Sequence, residues 1–307
     1  MVYVSEVPYQ WNGEMGNPLE LWARKLSSQL ALPTDSGDRV KNLLPVLTWE
    51  KLEKKAKAKR DHLFVIHGYE FVENKKSTNL DALMVPGTSD KKAAMTQFVI
   101  FRRKKSDPEL AARPFNMVDL LNQEVLVDRG GCGELVYRWL DCEIIPETGD
   151  TRRENLADFR TAASAEEAIL AVYFGEVAAC VVSKADSEEV MRYNPRGLSS
   201  KLAQERVSPP FLSHVVAASA SMEPARRADL LQKTASVHML RGETNLILTV
   251  PKPADFKTLE DLQTTWTHYF GAEKVEKSEK TENQADIRPA APAPAVSLGH
   301  GHERRPP

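Results

Sequence analysis

Cysteine is scarce in this 307-residue chain: Cys132, Cys142 and Cys180 are all it has. Three cysteines exclude a disulfide scaffold. No run of about 18 apolar residues occurs, which excludes a membrane-spanning helix. Positive charge is not in excess, since 41 Lys and Arg face 43 Asp and Glu for a formal charge of −2. The basic stripe of a nucleic-acid-binding protein is therefore missing. Glycine (15) and proline (19) are too few for a collagen-like or largely disordered chain. There is no GxSxG elbow, no HExxH and no Walker loop, and the histidines and cysteines lack metal-site spacing. What remains is 42% apolar and 27% charged, the balance of a soluble globular protein, long enough for one large domain or two.

Strand-like and helix-like segments alternate along the body. Val2 to Val7 alternates as a first strand, and Asn17 to Ala31 sets Leu19, Trp22, Leu26 and Leu30 on one helical face. Arg39 to Leu44 reads as a short strand. Thr48 reads as the N-cap of a helix with Trp49, Leu52 and Ala56 inward and a solvated lysine face outward. His62 to Ile66 is a short apolar run, the mark of a strand covered on both faces. Strands are predicted at Leu80–Val85, Met95–Arg102, Val125–Val127, Val177–Val182 and Phe211–Ala218. Helices are predicted at Glu134–Cys142, Asp186–Tyr193, Glu223–Met239 and onward from Thr258, and another opens on the Ser164/Glu167 capping pair. This alternation predicts an α/β protein of doubly wound, mostly parallel sheets in two blocks, joined around 103–112 and again around 207–218. From 272 to 307 charge, proline and alanine dominate, and the segment reads as a disordered tail.

One glycine-rich turn joins a strand to a helix: Asp128-Arg129-Gly130-Gly131-Cys132-Gly133-Glu134. Its spacing is not that of GxGxxG. Consecutive backbone N–H groups at a helix start carry positive partial charge, and glycines clear the approach to them. The turn therefore suits an anion or a polar oxygen group. It equally suits a tight turn with no guest. A thiol at a helix start also has a lowered pKa in principle, which offers Cys132 as a nucleophile with His67 or His214 as partner. Cys132 and Cys142 lie ten residues apart, about 15 Å along a helix, too far for a disulfide.

Three stretches together resemble a known family. His62-Leu63-Phe64-Val65-Ile66-His67-Gly68-Tyr69-Glu70-Phe71-Val72 resembles its strand-to-helix passage through a glycine-tyrosine pair. Ala168 to Val182 (AILAVYFGEVAACVV) resembles its "A…AV..GEVDA.VV" segment. Asn194-Pro195, Leu202 and Ser208-Pro209-Pro210 resemble its return to the first lobe. The family is the type 2 periplasmic substrate-binding proteins of ABC importers, in its phosphonate/phosphite branch, and the likeness runs from about residue 2 to 270.

The resemblance implies two α/β lobes joined by a two-strand hinge: 1–104 as the first part of lobe one, 105–210 as lobe two, 211–271 as the return. It implies a small polar or anionic guest in the interlobe cleft, hinge closure over it, and an ABC permease or a sensor as partner, with no cofactor and no catalysis. Tyr69 matches the tyrosine that lines the cleft from lobe one. Gly131, Cys132 and Gly133 fall where phosphonate binders carry hydroxyl side chains, and Glu134 adds a negative charge beside them. Tyr9 and Lys184 complete the expected ligand-binding set, with Arg129 and Lys184 as compensating cations. Ala178 falls where those binders carry an aspartate that pairs with a ligand amine. The family implies export, hence a leader removed from this chain; without a leader the protein is cytoplasmic. Two further functions stay open: a sensory or interaction module that keeps the fold, and an enzyme using Cys132.

Overall fold

A computed structural model of the chain describes residues 2–5, 46–47, 49–57, 62–88, 90–104, 113–128, 134–149, 153–193, 195–234, 238–241 and 244–270. The expected helix at 17–31, the strand at 39–44, the tail from 272, Tyr9 and the turn at 129–133 lie outside these residues.

Among the described residues the strands form two large sheets. The first has the order β13 (His238–Arg241), β14 (Thr244–Thr249), β4 (Leu80–Gly87), β12 (His214–Ser219), β3 (Leu63–His67), β1 (Val2–Ser5), β2 (Val46–Leu47). In it β1, β2 and β3 are parallel. Strand β12 inserts between β3 and β4, antiparallel to both. This register sets His214 opposite His67. The second sheet has the order β10-β6-β9-β7-β8. Here β7 (Glu124–Val127), β8 (Asp158–Thr161) and β9 (Ala179–Ser183) are parallel, β6 (Phe98–Arg103) runs against them, and β10 (Leu202–Val207), antiparallel to β6, runs with them again at the edge. The sheets are thus mixed rather than mostly parallel, because each receives strands from a chain that crosses over and comes back.

Both crossings are strand pairs. β5 (Met95–Thr96) leads into β6, and β10 leads through Ser208-Pro209-Pro210 into β11 (Phe211–Leu212). β5 and β11 pair with each other, Thr96 opposite Phe211 and Met95 opposite Leu212. The Ser208 hydroxyl accepts the Phe98 N–H at 2.8 Å, and the Gln97 amide donates to Ser208 O at 2.9 Å, tying the crossings side by side.

The second sheet is covered on both faces, as period-two alternation requires. Phe98, Ile100, Ala179 and Val181 face one core, which includes Leu135, Val136, Trp139 and Leu140 of the helix Leu135–Thr148. Val99, Phe101, Cys180 and Val182 face the other, with Ala168, Ile169 and Val172 of the helix Ala165–Phe174. That helix starts as its sequence predicts: the Ser164 hydroxyl accepts the Glu167 N–H at 3.1 Å. The Glu167 carboxylate reaches the N–H of Ala163 rather than of Ser164. The first of these cores continues into the first sheet through Phe64, Ile66, Val215 and Ala217.

Three expectations change. The segment read as helical to Met239 ends at Thr234, and β13 (His238–Arg241) and β14 (Thr244–Thr249) form a hairpin at the sheet edge. The helix expected to stop at Cys142 continues to Thr148 through Pro146 and ends on Gly149 at φ 64°, a conformation glycine adopts freely. Residues 195–207, where no element was predicted, form a short helix Pro195–Lys201 and then β10.

Candidate functional site

Ligands of open α/β sheets bind beyond the carboxyl ends of strands, where the winding direction changes. Strands β3, β7 and β9 end at His67, Val127 and Ser183. From these ends start the helices Gly68–Thr78, Leu135–Thr148 and Lys184–Tyr193. The first belongs to the seven-stranded sheet and the other two to the five-stranded sheet.

The two sets of ends meet at Tyr69. Its ring is buried and its phenol faces the backbone N–H of Glu134, which immediately precedes the second helix. Burial pushes the Tyr69 hydroxyl well above its ordinary pKa, and the Glu70 and Glu134 carboxylates add to this against the pull of Arg138. Tyr69 is thus a neutral donor and acceptor at neutral pH. Of the predicted ligand set, the structure brings Tyr69 and Glu134 together. Lys184 opens its helix at the end of β9, with its N–H on Gln97 O at 2.8 Å and its ammonium 3.8 Å from Glu188. Tyr9, Gly131, Cys132 and Gly133 lie outside the described residues.

Ala178 sits at the other end of the sheet. Its N–H binds Glu124 O at 3.1 Å at the amino end of β9, five residues before Ser183, about 16 Å at strand rise. An acidic side chain there would not face the strand ends where Tyr69 stands. Its absence is therefore silent about a ligand amine.

Sequence reasoning offered His67 only as a partner for Cys132. The structure gives it a larger place. Its ring is 1% exposed and stacks on Tyr69 with centroids 5.7 Å apart, with the His214 ring 5.2 Å away. Neither ring nitrogen has a hydrogen-bond partner among the described residues. Burial lowers its pKa from 6.5 to about 4, so the ring is neutral at pH 7. The unfolded chain takes up a proton near pH 6.5, whereas the folded one does so only near pH 4. Stability contributed by neutral His67 is therefore present above pH 6.5 and lost as pH falls through this window. At pH 4.5 the loss is about 2.5 kcal/mol relative to neutral pH. Urea unfolding of wild type and His67→Phe at pH 7 and 4.5 isolates it: the variant's fall in stability is expected to be smaller by about that amount. Equal slopes reject the assignment.

The described thiols are held in the protonated form at neutral pH. Burial, helped by Asp141 and Glu143, pushes Cys142 up to about 12, and burial raises Cys180 still further. No group of three or more metal-ligating side chains occurs among the described residues, and no helix among them is long and apolar enough to cross a membrane.

No protein-family model matches the chain, and no curated protein matches it. Solved structures do. XAC2383 from Xanthomonas citri, bound to ATP, superposes with a TM-score of 0.54 at 12% identity, over 88% of this chain and 97% of that one. A binding-protein component of an ABC phosphonate transporter from Pseudomonas aeruginosa gives 0.52 at 11% identity, over 93% and 99%. PhnD1 from Prochlorococcus marinus, in complex with methylphosphonate, gives 0.50 at 15% identity, over 85% and 96%. Likeness at such identities is one of fold. The chain shares the α/β fold of these proteins.

Proposed function

We propose that this protein is a solute-binding protein that holds a small polar or oxyanionic guest, of phosphate, phosphite or phosphonate type, between its two sheets and presents it to an ABC permease or a sensor. In this reading the seven-stranded sheet is the core of lobe one and the five-stranded sheet that of lobe two, and the chain works outside the cytoplasm. The observation that carries the proposal is the meeting of Tyr69, from the end of β3, with the helix start at Glu134. Backbone N–H groups at such a start favour an oxygen-rich guest, and the Tyr69 phenol stands against that start. The likeness in fold to a phosphonate transporter component and to PhnD1 supports the choice of guest.

Isothermal titration with phosphate, phosphite, methylphosphonate, 2-aminoethylphosphonate and methanesulfonate tests it. Saturable binding of at least one phosphorus oxyanion is expected, together with a raised melting temperature in its presence. A flat response to all five rejects the proposal. A second reading, an interaction module that keeps the fold, is favoured by the glycines and cysteine at 131–133, where hydroxyls are missing. Co-purification with a kinase rather than a permease would select it.

A further inference from the structure

The helix over 257–266 touches both halves of the molecule. On one side it lies along the helix Gly68–Thr78: the Lys75 ammonium meets the Glu260 carboxylate at 2.6 Å, and Leu259, 1% exposed, packs over Gly68. On the other it meets the helix Leu135–Thr148, where the Cys142 thiol lies 4.0 Å from Leu262 O. Its first turn is tied to the crossing itself, since the Thr258 hydroxyl donates to Pro210 O at 2.6 Å.

Arg138 stands at the centre of this junction. Its guanidinium donates to Gln263 Oε1 at 2.6 Å and to Glu73 Oε2 at 2.8 Å. It lies 4.9 Å from the centroid of the Tyr69 ring and 4.5 Å from that of Trp266. One side chain of the second half thus joins two separate elements of the first, with both charged partners mostly shielded from water. A planar guanidinium suits such a place, because it binds carboxylate and amide in its plane and aromatic faces above and below.

We infer that helix 257–266 is a strap across the cleft and that Arg138 is its clasp: the lobes part only when the guanidinium leaves the Tyr69–Trp266 pair. All the contacts are made by the chain itself, so the strap does not depend on which guest is bound. Guest and clasp share Tyr69, which makes Arg138 a positioning residue for the ligand wall. Opening swings the Leu135–Thr148 helix away from the Gly68–Thr78 helix and must break the Glu73, Gln263 and ring contacts together.

The test needs no ligand. Arg138→Met keeps the length and apolar stem and removes the clasp. Small-angle scattering of the full chain is expected to show a larger radius of gyration for this variant. Amide exchange is expected to quicken by about tenfold or more over 134–139 and 257–266, while β6, β7 and β9 keep their protection. Arg138→Lys is expected to restore part of the slowing, since an ammonium keeps the charge but not the fork. If Arg138→Met does not fold, Gln263→Leu provides the same readouts with one bond removed. An unchanged radius of gyration, or protection that falls evenly over both sheets, overturns the inference. A chain that binds none of the titrated oxyanions but shows these changes keeps the strap and loses only the proposed guest.

Discussion

Gly68→Ala is expected to lower stability by about 3 kcal/mol or more. A Cβ at this position would stand 2.1 Å from Leu212 O and 2.9 Å from Leu259 Cδ1. The first of these is backbone and has nowhere to go. Leu212 is held in β11 by its pairing with Met95, and the Gly68 N–H itself donates to Ser213 O at 2.9 Å. The helix start, the crossing strand and the strap converge on one point with no room for a methyl group. Relief requires the Gly68–Thr78 helix to slide along its own axis, which carries Tyr69 away from Glu134. Urea unfolding measures the loss, and titration with methylphosphonate shows whether binding falls with it. A change within 1 kcal/mol of wild type would mean that the backbone yields where the structure says it cannot.

Trp139→Ala is expected to cost about 3–5 kcal/mol, the range for removing a large buried aromatic side chain. Trp139 is 1% exposed and stacks on Phe98 at 5.9 Å, and Phe98 in turn meets Phe211 at 6.3 Å. These rings run from the second-sheet helix through the first residue of β6 to the returning crossing. The indole N–H also donates to Glu143 at 3.2 Å, and Glu143 binds Arg206 of β10 at 2.8 Å. The variant therefore loses both a large apolar volume and the contact that orients the Glu143 carboxylate toward Arg206 of β10. Trp139→Phe keeps a ring on Phe98 and loses the N–H with part of the indole's volume, and about half the stability is expected to return. Equal losses for the two variants would place the weight on the Glu143 bond instead.

The α/β class was legible because Leu63–Ile66 and Cys180–Val182 are unbroken apolar runs, which only a sheet covered on both faces can bury. Ser164 announced its helix through its own hydroxyl, a signal confined to four residues. The β13–β14 hairpin left no such mark. Its strands hold each other by backbone pairing, His238 opposite Ile247, and its sequence continues the apolar spacing of the preceding helix. Tyr69 stood out through the resemblance carried by its glycine-tyrosine pair, and its position against Glu134 is what the fold adds. Arg138 did not stand out: it looks like any arginine on an amphipathic helix, and its partners Glu73 and Gln263 stand 65 and 125 residues away. Pairings of that range have no period and no motif, so they become visible only once the elements are packed. His67 belongs with them, because its neutrality follows from burial between Tyr69 and His214.

The crossings have a mechanical consequence. β5 and β11 are hydrogen-bonded to each other, and β6 and β10 continue the same ladder of opposed chains from Val99–Val207 to Arg103–Leu202. Two tethers bonded side by side cannot twist independently, so the two crossings act as one ribbon rather than as two separate links. The irregular register between Gln204 and Arg206 leaves this ribbon one compliant rung, placed where Arg206 grips Glu143 and Glu147. The ribbon is thereby bound to the Leu135–Thr148 helix through a pair of carboxylates.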